Sequence, residues 1–186
     1  MTTLYVITRF ITFFGSVLRA FWEHVACRIC KIPVEDARVF KNDELCGHVE
    51  HELPENLREA FFLCWFPFTM NFLMGCAFLL SGSYRLFFIG ETDSLQTYGL
   101  VWLGVSCVAN CAPSFEDMLA LKDFIYIGKN KLLKVLLSPF FAVVCASASL
   151  ERFSITFIIS VIFAIVFPSL FNLLFPALDY LDQIIH

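Results

Sequence analysis

Charge is scarce in this chain. Only 16% of its residues are Asp, Glu, Lys or Arg, against about a quarter in a soluble domain of this length. The deficit falls in blocks, the pattern of a polypeptide whose solvent is lipid. There is no basic run and no interleaving of basic with aromatic residues, and the formal net charge is −4. Nucleic acid is therefore not an expected partner. Glycine-rich phosphate loops and nucleophile elbows are also missing. The stretches outside the apolar blocks are too short for a soluble catalytic domain. The N-terminal stretch does not read as a cleaved leader, because Arg9 interrupts its apolar run and no basic region precedes it.

What is present is apolar. The composition is 59% hydrophobic and 17% aromatic, with a mean hydropathy of +0.74. These features predict a single integral membrane domain over residues 1–186. Its fold class is an all-α polytopic bundle of about five spans, with a small cytoplasmic β-hairpin after the first helix. The eight cysteines lie largely inside apolar blocks, where a free thiol behaves as a small hydrophobe. The expected surroundings are the lipid bilayer, with a membrane protein partner as a further expectation.

The one long polar segment between apolar blocks runs from Glu23 to Arg58. It holds three of the four histidines, His24, His48 and His51, and many carboxylates. Before it, Leu4 to Trp22 is apolar but striped. Thr8 or Arg9, Thr12, Ser16, Arg19 and Glu23 recur at three- to four-residue spacing, along one face of a helix. That helix is expected to run on to Lys31 and to stop at Pro33. Val34–Phe40 and Gly47–Leu53, around Lys41-Asn42-Asp43, read as the hairpin.

Further spans are expected at Glu59–Ser81, Thr97–Ala112, Lys134–Ser149 and Phe153–Leu178. Pro168 and Pro176 are expected to bend or break the last. Small residues in Thr97–Ala112 favour close helix packing. Ser114 is placed to cap a helix whose third position is Asp117. Lys and Arg are rich, poor, rich and poor in the four successive connections. This puts the first and third connections in the cytoplasm and brings Asp117 to the side of the Glu23–Arg58 segment.

Three constellations are candidates for chemistry. The first is a metal site built from His24, His48, His51, Glu23, Glu50, Glu52 and Asp117, with the three histidines and Asp117 as its leading ligands. Zinc takes three or four convergent N, O or S ligands, so zinc is the cofactor this set would hold, if any. His48 and His51 lie an odd number of residues apart, so on a strand they face opposite ways. The bland reading is a solvated hairpin on the membrane surface. The second is Cys27-x-x-Cys30 with Cys46 and His48; both cysteines fall on a helix, where packing is the commoner role. The third is a substrate or partner groove lined by Arg9, Thr12, Ser16, Arg19, Asn71 and Asn110. Its bland reading is helix–helix hydrogen bonding, with Arg19 meeting Glu23 one turn on.

The layout resembles the site-2-type membrane metallopeptidases, especially their small bacterial relatives. The matching pieces are Cys27–Val34, Gly47-His48-Val49-Glu50-His51-Glu52, Pro67–Asn71 and Asn110-Cys111-Ala112-Pro113-Ser114-Phe115-Glu116-Asp117. They span about Arg19 to Asp117. The resemblance implies an HExxH pair holding zinc on the first helix, with a later acidic ligand. Asp117 matches that ligand. The helix, however, reads Arg19-Ala20-Phe21-Trp22-Glu23-His24. The first histidine and the catalytic glutamate are absent, and His24 or Glu23 alone stands near the second ligand's place. The resemblance thus implies a non-catalytic member that binds a membrane segment or partner. A metal-dependent intramembrane hydrolase with a rearranged site is the alternative. A small subunit of a membrane complex or transporter is a third reading.

Overall fold

The computed structural model describes residues 3–38, 48–127, 131–152 and 154–185. The architecture is helical with one two-stranded antiparallel hairpin. The helices are α1 (Thr3–Ile11), α2 (Phe13–Cys30), α3 (Leu57–Tyr84), α4 (Leu95–Ala109), α5 (Phe115–Ile127), α6 (Lys131–Arg152) and α7 (Ile155–Ile185). The strands are β1 (Val34–Arg38) and β2 (His48–His51), paired between α2 and α3 in the chain, with an irregularity between Val34 and Asp36. The turn Lys41-Asn42-Asp43 and Cys46 lie outside the described residues.

Local chemistry accounts for most of these boundaries. The first helix is not continuous as expected: it breaks at Thr12. The Thr12 carbonyl accepts from Ser106 Oγ at 2.9 Å and Asn110 Nδ2 at 3.1 Å, side chains brought in by α4. Lys31 ends α2 in the left-handed region at φ 60°, and Pro33 bars continuation. The Asn56 side chain accepts from Glu59 N at 3.0 Å, and the Glu59 carboxylate returns to Glu55 N at 3.1 Å. One donor of the first turn of α3 is thereby satisfied, and the residue before the cap is tied to the helix. A π-helical turn, Arg85–Ile89, follows α3 and ends on Gly90 at φ 73°. The prolines do not divide the last helix: α7 continues through Pro168 and Pro176.

Small residues set the packing of α2, α3 and α4. A Cβ on Gly15 would lie 1.9 Å from the Ser106 carbonyl oxygen, so α2 and α4 are nearly in backbone contact. A Cβ on Gly104 would lie 2.6 Å from Leu79, and one on Gly75 2.6 Å from Val108. Close approach of this kind is how helices associate where burial from water supplies no drive. A second apolar cluster joins α3, α5 and α6 through Ala60, Cys64, Met118, Leu121, Ile125, Phe141 and Val144. The hairpin docks on the helices beside a third cluster of Cys27, Ile32 and Leu63, with Val34 packed against it.

Among the described residues, two helical stretches are long and apolar enough to cross a membrane, Leu57–Phe87 and Lys134–Glu151. Leu95–Ala109 and Ile155–Phe171 are shorter apolar helices. In the two longer stretches only 33% and 17% of the most apolar window is buried. A core helix of a water-soluble protein is mostly covered; these are not.

Candidate metal centre

Glu23 lies on α2 one turn beyond Arg19, in line with Ser16 and Thr12. These four side chains are buried, at 3%, 4%, 1% and 3% exposure. The face that carries them is the one α2 turns toward the other helices. His24 follows by about 100° of helix rotation and leaves that face. Its Nδ1 is buried without a hydrogen-bond partner, and it does not join the cluster below.

β2 supplies the second group. Strand side chains alternate, so His51 shares a face with Val49. Val49 is 2% exposed, and His51 is turned inward with it, its side chain 7% exposed. His51 Nδ1 is 2.8 Å from the Glu52 carbonyl oxygen, an acceptor only, which makes Nδ1 the protonated nitrogen. Nε2 is thereby aimed inward. His48 opens β2, but its side chain lies outside the described residues.

α5 supplies the third. Asp117 N donates to Ser114 Oγ at 3.1 Å, the cap expected from the sequence. The same hydroxyl donates to Asp117 Oδ2 at 2.7 Å. That bond ties down one carboxylate oxygen and leaves Oδ1 facing His51 Nε2 at 3.2 Å. Glu23 Oε1 lies 3.8 Å from the same nitrogen.

One ligand atom from each of Glu23, His51 and Asp117 lies within 4.8 Å of the others. Two ligands placed 2.0–2.1 Å from a tetrahedral ion stand about 3.3 Å apart. The separations of 3.2 and 3.8 Å need little adjustment to reach that value. The donor set also fits: one imidazole nitrogen and two carboxylates suit zinc and similar borderline ions. Glu23 Oε1 is buried with no hydrogen-bond partner; burial and the Asp117 charge push its carboxyl up to about 8, and a cationic group, the His51 ring, lies 3.8 Å from it. Both supporting bonds, Nδ1 to a carbonyl and Oδ2 to a hydroxyl, are of the kind that orients metal ligands. Burial pulls the His51 imidazole downward. The hydrogen bond and charge of Asp117, the Glu52 carbonyl and the Glu23 charge outweigh it, and the group is pushed up to about 9.

Of the expected metal ligands, the structure thus gathers Glu23, His51 and Asp117 and leaves His24 aside. Ser114 was legible as a cap, and no sequence signal gave its second role or that of the Glu52 carbonyl. Cys27 and Cys30 both lie on α2, and burial pushes the Cys27 thiol up to about 12.

The expected groove residues divide. Ser16 Oγ donates to Asn110 Oδ1 at 2.8 Å, and Asn71 Nδ2 lies 2.9–3.2 Å from the carbonyls of Gly15, Cys107 and Asn110. These three side chains join α2, α3 and the end of α4. Arg19 reaches the Ala112 carbonyl at 3.0 Å and Glu151 at 3.4 Å, and its charge also acts on Glu23. Arg9 and Thr12 line a small cavity between α1, α4 and the α6–α7 junction.

No family model, curated protein or solved structure matches this chain.

Proposed function

We propose that this chain is an integral membrane protein built around a divalent metal centre of the zinc type, held by Glu23, His51 and Asp117. The observation that carries the reading is the convergence of one imidazole and two buried carboxylates from α2, β2 and α5, the imidazole side chain 7% exposed. A membrane setting fits the long apolar helices whose outer faces are uncovered, with Phe10, Val135 and Ile162 among the exposed side chains. Five crossings, with the hairpin and the start of α6 in the cytoplasm, fit the lysine and arginine bias.

The protein's own part is to bind and orient. Ser114 holds Asp117, Glu52 holds His51, and Arg19 lends positive charge beside Glu23. Three protein ligands leave a coordination position free, the pattern of centres that act on a substrate; closed structural sites use four. A metal bound there would supply Lewis acidity and lower the pKa of a water molecule.

A second reading has its own observation. If Glu23 occupies the place of the second HExxH ligand, the catalytic glutamate's place falls on Ala20, which is fully buried and apolar. α2 then offers no general base, which favours a centre that binds a membrane segment or partner without cleaving it.

Metal content of protein purified without chelator separates these from a metal-free fold. One zinc per chain, lost in Asp117→Ala, supports the centre, and a wild-type chain without metal after zinc dialysis overturns it. Cleavage of a model membrane peptide by the zinc-loaded chain, absent in Asp117→Ala, would favour hydrolysis over binding alone.

A further inference from the structure

Three interruptions of helical backbone meet at one level of the bundle. α1 gives way to α2 at Thr12, α4 ends at Ala109, and α6 gives way to α7 around Ser154. Ser154 is buried and held at φ 59°, a left-handed conformation unusual for a residue other than glycine. Its hydroxyl meets that of Thr8 at 3.0 Å. Between the interruptions lies a partly open cavity walled by Thr8, Thr12, Asn110, Glu151, Ser154 and Phe157, with room for about one water molecule.

The wall is polar where its surroundings are apolar. Phe157 belongs to the partly buried rim of the Leu79, Val105, Val108 and Ala164 cluster. Within a lipid-embedded bundle, irregular backbone is tolerated where it is buried in protein or lines a wet cavity. A water molecule in such a space needs two to four polar partners. Hydroxyl, amide and carboxylate groups from four helices or their junctions supply them here.

The cavity is also connected. Glu151 in its wall pairs with Arg19 at 3.4 Å. Arg19 stands one turn before Glu23 on α2, and its charge is felt there. Asn110 in the wall bonds Ser16 at 2.8 Å, on the same buried face of α2. A polar line therefore runs from the three interruptions to the Glu23–His51–Asp117 cluster, through protein that is otherwise apolar.

We infer that this cavity binds water and is the hydration point from which the Glu23–His51–Asp117 centre is supplied. The destination rests on the metal-centre reading; the hydration of the cavity does not.

Hydroxyl-radical footprinting of the full chain in lipid nanodiscs, read by mass spectrometry, tests it. The radicals form from water where water resides, so Phe157 is the reporter. Phe141, 9% exposed in the α3–α5–α6 cluster, is the dry control. Phe157 is expected to be modified roughly tenfold faster than Phe141, as a residue touching bound water should be. Thr8 and Thr156 both line the cavity, and Thr8→Leu and Thr156→Leu, which would fill it, should each bring Phe157 down to the Phe141 rate. Equal rates in the wild-type chain, or a fast Phe157 untouched by both fillings, overturn the inference. Zinc content measured on the same samples keeps the two readings apart. A slow Phe157 in a zinc-loaded chain removes the cavity's role alone. A fast, filling-sensitive Phe157 in a chain that takes up no zinc upholds the hydration and removes the metal centre.

Discussion

His51 is the residue on which most of the site's chemistry turns. With its pKa raised to about 9, from an ordinary value near 6.5, it carries a proton at neutral pH when no metal competes. The proton favours the folded state. Its contribution is complete below about pH 6.5 and is lost as pH rises through about 9. A metal must displace that proton, and also the one on Glu23, whose carboxyl burial and the Asp117 charge push up to about 8. Apparent zinc affinity should therefore climb by up to about a hundredfold per pH unit below about pH 8 and about tenfold per unit from there to about pH 9. Competition titration with a zinc indicator between pH 6.5 and 9 measures it, and a flat profile would show that Nε2 is not a ligand. Ser114 acts through Asp117. Ser114→Ala should lower zinc affinity about 10- to 100-fold, as loss of an orienting partner does, and weaken α5 by about 1 kcal/mol through the lost cap. Asp117→Ser, which removes the carboxylate outright, should abolish stoichiometric zinc. An unchanged zinc affinity in Ser114→Ala would separate the cap from the site.

At the level of elements, the crossing of α2 and α4 is the tightest contact the glycines reveal. Gly15→Ala places a methyl 1.9 Å from the Ser106 carbonyl oxygen. The helices must separate, and the bonds from Ser106 and Asn110 to the Thr12 carbonyl go with them. Overpacking of this kind costs about 1–3 kcal/mol or more, and loss of the buried bonds adds to it. Gly99→Ala is the matched control: nothing lies within 4 Å of its added carbon, so α4 should gain about 0.5–1 kcal/mol from helix propensity. Thermal unfolding in detergent should lower the midpoint of the first variant and leave or raise that of the second. The converse order would mean that α2 and α4 do not cross at Gly15.

For the whole molecule, the question is which solvent meets the outer faces. Val143 on α6 is 49% exposed. In water, a surface Val143→Arg substitution would change stability by less than about 0.5 kcal/mol. Facing lipid near the middle of a span, it should cost about 2.5–3.5 kcal/mol of insertion free energy. The fraction of α6 inserted in a translocation assay decides between the two, and full insertion of the arginine variant would count against a lipid-facing α6. The same assay, with reporters in the hairpin and after α6, tests the orientation drawn from lysine and arginine.

The helices, their polar stripe, the hairpin and the Ser114 cap were all readable from residue order, because period, capping and turn chemistry are local. Burial of Val49 in the folded chain shows that the His51 face of the strand is the inward one; the sequence put His48 and His51 only on opposite faces. It left Glu23 and His24 open as alternatives, and only the packed helices chose between neighbours 100° apart. The break at Thr12 was likewise decided by tertiary contact, because the side chains that take its carbonyl arrive from a helix more than 90 residues away. Convergence of Glu23, His51 and Asp117 belongs to the same class. No spacing rule links a helix, a strand and a second helix, so their ligand atoms meet only once α2, the hairpin and α5 have packed together.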